Sequence, residues 1–282
     1  NSAASRTPAA LADRATTVVS NTVATINVPA SDIAVGGNVS ITAFTPAPGG
    51  GTSNALTFPV SNLVPTLTSI NPTSATAGGG PTALAVTGTN FSLNSVVQFG
   101  GTSLTTVFVS ATSLTATIPA GELVTPGDVD VTVMNPAPGG GTTSAQVFTV
   151  NYPVPEILSL DPVTIPDGSA PFTLTVNGTG FFPASVVQFN GNIRTTSYIS
   201  GTQITAAITA ADVDTAGVYE VVVTNPAPGG GTSTPVSYTV GTVPAIISPL
   251  TASGTAGASF SYTTLASGSS PRPPPVKRRC EA

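Results

Sequence analysis

Thr45-Pro46-Ala47-Pro48-Gly49-Gly50-Gly51 returns as Asn135 to Gly141 and again as Asn225 to Gly231, each copy 90 residues after the last. A fixed period marks a repeat array. The rest of the chain keeps the same spacing: Val64-Pro65 becomes Val154-Pro155, Phe91 becomes Phe181, and Val96-Val97-Gln98-Phe99 becomes Val186-Val187-Gln188-Phe189. A unit of about 90 residues is too long for one solenoid repeat and close to the size of a two-sheet β-sandwich.

The 282 residues accommodate two complete units, from about Val64 to Val150 and from Val154 to Val240, with a partial unit on either side. The expected layout is an irregular leader at 1–14, a partial unit at 15–62, sandwiches at 63–151 and 152–241, the start of a further module at 242–266 and a tail at 267–282. Gly (29) and Pro (27) punctuate short runs rich in Thr, Ser and Val, with no stretch of good helix formers. Turn residues between short β-branched runs predict an all-β chain.

Charge is scarce and lopsided. Between Ala15 and Leu265 ten acidic residues (Asp32, Glu122, Asp128, Asp130, Glu156, Asp161, Asp167, Asp212, Asp214, Glu220) face one basic residue, Arg194. Phosphate backbones are neutralised by Lys and Arg, so no nucleic-acid partner is expected for the folded part, and an anionic membrane surface is disfavoured on the same ground. No 18-residue apolar run marks a membrane-spanning helix, so no membrane insertion is expected. The single cysteine, Cys280, lies in the C-terminal tail, which excludes an intrachain disulfide framework. The chain starts at Asn1 without Met or a signal-like apolar segment, and it reads as an excised or processed piece.

In chain order, Val28-Pro29-Ala30 aligns with Ile118-Pro119-Ala120, and Ile41 to Val60 aligns with Val131 to Val150, so the first unit lacks its front half. Such a half-sandwich exposes inner-face side chains and unpaired edges. Either the chain is cut inside a domain, which is the preferred reading, or strands come from elsewhere.

The first whole unit opens on Thr66 to Asn71, framed by Pro65 and Pro72 as suits an edge strand. Leu84 and Val86 then alternate with Ala83, Ala85 and Thr87, the period of a half-buried strand. Gly88-Thr89-Asn90-Phe91 is expected to turn the corner, with Phe91 plugging the core and Val97 and Phe99 pointing inward. Short strands follow at Thr106 to Val109 and Ser113 to Ile118, and Val129, Val131 and Val133 mark the penultimate strand. Asn135 to Gly141 makes a hairpin tip: prolines preset φ, and glycines permit the positive φ of a tight reversal. A phosphate cradle there would need a Lys-Ser/Thr ending and a following helix, which are missing.

Candidate chemistry is thin. The absence of histidine removes imidazole acid/base catalysis, Ser-His-Asp triads and His-ligated metals. Asp32, Glu122 and Asp212 recur at the repeat spacing, and capping of a short helical turn is preferred to metal ligation. The pairs Asp128/Asp130 and Asp212/Asp214 could furnish carboxylates to calcium, but they lack EF-type spacing and do not align between units. With no Trp, Tyr152 at the junction and Tyr198 in mid-domain are the candidate exposed aromatics, read as packing rather than a sugar platform; Tyr238 replaces Phe148 in the core. Arg194 aligns with Leu104 and is expected at an exposed edge. No catalytic, cofactor-binding or metal residue is assigned.

Four features in fixed order carry a resemblance. They are Pro-x-(Leu/Ile)-x-Ser-(Ile/Leu)-(Asn/Asp)-Pro at Pro65 to Pro72 and Pro155 to Pro162, Gly-Thr-x-Phe at Gly88 and Gly178, Val-x-Phe at Val97 and Val187, and the Asn-Pro-x-Pro-Gly-Gly-Gly tip. From about Ala15 to Val240 the chain resembles bacterial immunoglobulin-like modules of the IPT/TIG type. Ile246 to Tyr262 looks like the start of a further immunoglobulin-like module, broken off into a basic, foreign-looking tail ending near Cys280; a natural basic tail is the alternative. The fold class implied is all-β: tandem immunoglobulin-like (IPT/TIG) β-sandwich domains, two complete, with partial units at both ends.

The resemblance implies a non-enzymatic stalk, spacer or adhesive segment of a bacterial secreted or cell-surface protein. The alternative is a set of carbohydrate-binding accessory modules of a polysaccharide-active enzyme. Expected partners are another protein or a cell-surface polysaccharide, with self-association through the incomplete terminal units as a third reading. Short linkers at Ser61 to Leu63 and Asn151 to Pro153 suit a semi-extended rod.

Overall fold

A computed structural model describes residues 14–242, together with 245–246, 255 and 266–267. The chain divides between Asn151 and Tyr152 into two compact units. In the first, Thr105–Ser110, Ser113–Ile118, Thr82–Thr89 and Thr66–Asn71 lie side by side in that order as one sheet. The facing sheet runs Thr102–Ser103, Val96–Phe99, Gly127–Asn135, Gln146–Asn151 and Ser74–Thr76, with Gly141–Thr142 paired to Gly127–Asn135.

Alternation builds the core. Leu84 and Val86 of one strand, with Leu114, Ala116 and Ile118 of its neighbour, face inward and meet Val97, Phe99, Val131, Val133 and Phe148 from the opposite sheet. Two inner faces closing on each other make a sandwich. Each fully buried Val, Leu or Phe contributes about 1.5 to 3 kcal/mol, so these alternating positions carry most of the stability.

Thr66–Asn71 does lie at a sheet edge, next to Thr82–Thr89. After the cis Asn71–Pro72 bond the chain changes sheets, and Ser74–Thr76 runs parallel to Gln146–Asn151. Three residues carry no readable alternation, so sequence reasoning missed this strand. Gly88 differs from expectation too. It sits inside Thr82–Thr89 rather than in a turn, and the corner falls at Asn90, whose φ is 62°. Gly88 is needed for close approach: a Cβ there would stand 1.9 Å from the Thr66 carbonyl oxygen and 2.6 Å from Cζ of Phe91.

The second unit repeats this plan from Glu156–Asp161 to Val236–Gly241, including the parallel strand Thr164–Pro166. Its core holds Leu174, Val176, Phe181, Val187, Phe189 and Tyr238. Tyr238 occupies the place of Phe148, and its buried hydroxyl has no hydrogen-bond partner. Burial, helped by the charge of Asp161, pushes this phenol up to about 12. An unfolded phenol ionises near pH 10, so above that pH the unfolded state binds fewer protons than the folded one. The stability due to neutral Tyr238 is therefore complete below about pH 10 and falls as pH rises toward about 12. Urea midpoints of the second unit should drop over that window, and Tyr238→Phe should flatten the drop. An identical slope in the variant would remove Tyr238 as its cause.

The half-unit forms three small two-stranded sheets: Thr16–Ser20 with Val23–Ile26, Gly37–Ile41 with Leu56–Val60, and Phe44–Thr45 with Gly51–Thr52. Ile33 and Phe58 are 41% and 46% exposed, whereas their counterparts Leu123 and Phe148 are fully buried. Inner-face residues here lack the facing strands that cover them in the whole sandwiches. Ala245–Ile246 pairs with Ala266–Ser267. The expectations for the leader, the C-terminal module and the basic tail otherwise lie outside the described residues.

Candidate functional site

The recurring stretch is a hairpin tip, as its composition requires. Gly127–Asn135 ends at Asn135, the chain reverses through cis Ala137–Pro138, and Gly141 pairs back with Asn135. Gly139 and Gly140 have φ values of 69° and 68°, which only glycine adopts at little cost.

What the tip holds is the polypeptide itself. The Asn62 N–H donates to the Pro138 carbonyl at 2.8 Å, the Gly140 N–H donates to the Asn62 carbonyl at 2.8 Å, and Asn62 Nδ2 donates to the Pro136 carbonyl at 2.7 Å. A Cβ on Gly139 would lie 2.6 Å from the Asn62 oxygen, so the triple glycine also clears the approach. The second unit does the same with Tyr152: its N–H donates to the Pro228 carbonyl and its carbonyl accepts from Gly230, both at 2.8 Å. The two segments read as linkers are thus bridged to the tips.

Asn135, 2% exposed, is the hub behind the tip. Its Nδ2 donates to the Leu63 carbonyl at 2.9 Å and to the Asn90 carbonyl at 2.7 Å, while Ser95 Oγ donates to its Oδ1. Asn225 repeats every bond, with Pro153, Gly180 and Ser185. One amide thereby joins the entering segment, the corner before the core phenylalanine and the hairpin. Sequence reasoning missed this role. The signal was present: Asn precedes the tip proline in both whole units, and Thr45 stands there in the half-unit.

Arg194 corrects the expectation of an exposed edge residue. Its side chain is only 18% exposed, and its guanidinium pairs with Asp212, 9% exposed. Nε of Arg194 is buried without a partner. The backbone explains the placement: the Arg194 N–H bonds to the Val187 carbonyl just as Leu104 bonds to Val97, so the arginine occupies a core-facing position. Arg14, two repeats earlier, pairs likewise with Asp32.

The shared capping role holds at Asp212 alone. There the carboxylate accepts from the Thr209 N–H at 2.9 Å and from its hydroxyl at 2.8 Å. Burial pushes this carboxyl up, but the Thr209 N–H, the Arg194 guanidinium and the Thr209 hydroxyl outweigh it and hold it below its ordinary value. At Asp32 the carboxylate goes to Arg14 instead, and Glu122 makes no cap bond on the turn Ala120–Leu123. Leu104 stands where an arginine would be, so Glu122 has neither partner.

The remaining candidates do not converge. Asp128 and Asp130 lie on the open face of Gly127–Asn135, where Asp128 accepts from the Thr149 hydroxyl at 2.7 Å. Asp214 accepts from the neighbouring Thr215 hydroxyl. Tyr152 is half-buried edge-on against Phe182, with centroids 5.3 Å apart, so it packs, as its reading expected. Tyr198 is exposed. Among the described residues no three His, Cys, Asp or Glu side chains gather into a metal-sized group.

The strand order, the tip and the hub fit the outcome of comparison with known proteins. The family model described as IPT/TIG domain matches residues 65–150 and again 155–240. The chain belongs to the IPT/TIG domain family. As an IPT/TIG protein with immunoglobulin-like sandwiches, it is a structural or binding module in the general sense.

No curated protein matches the sequence. Solved structures similar to this IPT/TIG chain include the plexin A4 extracellular region, at 18% identity over 65% of this chain and 16% of that one, TM-score 0.29. Another is a Bacteroides ovatus protein, SGBP-B of a mixed-linkage glucan utilization locus, in complex with a mixed-linkage heptasaccharide. It is 18% identical over 65% of this chain and 47% of that one, TM-score 0.26. The amphioxus IgVJ-C2 molecule matches at 16% identity over 60% of this chain and 99% of that one, TM-score 0.33. The chain spans between a sixth and a half of the first two. At these scores, what those proteins bind says nothing about this one.

Proposed function

We propose that this IPT/TIG chain is a non-enzymatic stalk, spacer or adhesive segment of a bacterial secreted or cell-surface protein. The observation that carries the reading is the clamp at each tip. Asn62 and Tyr152, where the chain enters each whole sandwich, are hydrogen-bonded on both N–H and C=O to the glycine tip of the sandwich they enter. Tension applied along the chain meets a bonded segment there, not a slack linker, and this suits a load-bearing module. The scarcity of charge and the dispersed carboxylates support a scaffold over an active site. Its partners on this reading are another protein or a cell-surface polysaccharide.

The test is mechanical extension of single chains. Two discrete unfolding events are expected, each releasing about 25 to 30 nm of chain, the contour of one unit of about 86 residues. Smooth extension without such events would overturn the reading.

A further inference from the structure

Asn is followed by Gly at two places, Asn177-Gly178 and Asn190-Gly191. In such a pair no Cβ on the second residue obstructs attack by its nitrogen on the Asn side-chain carbon. Tertiary structure treats the two pairs differently. Asn177 and Gly178 lie inside Phe172–Thr179, an interior strand paired on one side with Glu156–Asp161 and on the other with Gln203–Ile208. The buried Gly178 donates its N–H to the Thr202 carbonyl at 2.9 Å. The Asn177 amide is held at both ends: Nδ2 donates to Ser159 Oγ at 3.2 Å, and Oδ1 accepts from Gln203 Nε2 at 2.9 Å.

Asn190 and Gly191 form the exposed turn between Val186–Phe189 and Asn192–Ile193, with φ values of 49° and 75°. Neither the Gly191 N–H nor the Asn190 side-chain amide has a hydrogen-bond partner, and a Cβ on Gly191 would meet nothing within 4 Å. Bringing the Gly191 nitrogen against Cγ of Asn190 requires the turn to rotate out of this conformation. Only two pairings resist that, Gln188 with Ile193 and Phe189 with Asn192, at the end of a sheet where local opening costs least. At Asn177 the same rotation would break an interior strand. We infer that Asn190 is a self-modification site, at which the folded chain deamidates. The Gly191 nitrogen gives up its proton to solvent and bonds to Cγ of Asn190, and the side-chain nitrogen leaves as ammonia. Water then opens the cyclic imide at either carbonyl, leaving aspartate or isoaspartate at position 190. The first sandwich has Gly100-Gly101 at this place and nothing to convert. Each event therefore adds a carboxylate to the second sandwich alone, in the turn that leads to Arg194.

The test is incubation of the full chain in mildly alkaline buffer, with released ammonia measured and peptides mapped by mass spectrometry. Pepsin works in acid, where the reaction is slow, and cutting around Phe181, Phe182 and Phe189 separates the two sites. The amide-to-acid mass gain is expected at Asn190 at least about tenfold faster than at Asn177 in the folded chain, because only the hairpin tip opens without disrupting an interior strand. In strong urea the two rates should converge, since both pairs are then equally free. Asn190→Gly recreates the Gly-Gly turn that the first sandwich already folds around, and it should remove most of the ammonia released by the folded chain. Equal rates at Asn177 and Asn190 in the folded chain would overturn the proposal. So would an Asn190 that converts only in urea, or ammonia release unaffected by Asn190→Gly.

Discussion

Gly178→Ala is expected to destabilise the second sandwich by about 4 kcal/mol, the range reached only by severe steric or core defects. The added Cβ would stand 1.9 Å from the Glu156 carbonyl oxygen and 2.6 Å from Cζ of Phe181. The ring could swing away, but the carbonyl belongs to Glu156–Asp161, which pairs with the Gly178 strand and cannot withdraw without breaking that pairing. The backbone contact therefore dominates, and Phe181→Ala should fail to rescue Gly178→Ala. Gly201→Ala serves as the control, because its Cβ would be 3.7 Å from the nearest atom, an ordinary contact. In calorimetry the Gly178 variant should lose the transition of one sandwich while the other melts as before. A melting profile equal to that of Gly201→Ala would refute the close-approach account.

Phe91→Ala is expected to cost about 3 to 5 kcal/mol in the first sandwich, the usual range for deleting a buried aromatic ring. Phe91 is 4% exposed and lies over Gly88 at the end of the core, immediately after the left-handed corner at Asn90. Its N–H is tied to the Ala111 carbonyl at 3.0 Å, so the backbone holds its course and the lost ring leaves a cavity. The urea midpoint should fall with the m-value preserved, because the same surface unfolds. A midpoint within error of the parent chain would place Phe91 outside the core.

Much of this architecture was legible in the chain because repetition multiplies weak signals. Alternation over Leu84 and Val86 is only suggestive in one copy, yet Leu174 and Val176 repeat it in register. The glycine tip was readable because φ preferences are local. Arg194 was misread because charge normally marks an exposed edge, whereas here Asp212 from a turn 18 residues away supplies the counter-charge.

The residues alone determined the period, the β class and the positions facing inward, since turn preference and side-chain alternation act over a few neighbours. Tertiary structure alone decided which carbonyl crowds Gly178, which segment the tip clamps and what Asn135 joins. Those contacts unite groups some 20 to 75 residues apart, and nothing in local propensity encodes which distant backbone atom will arrive.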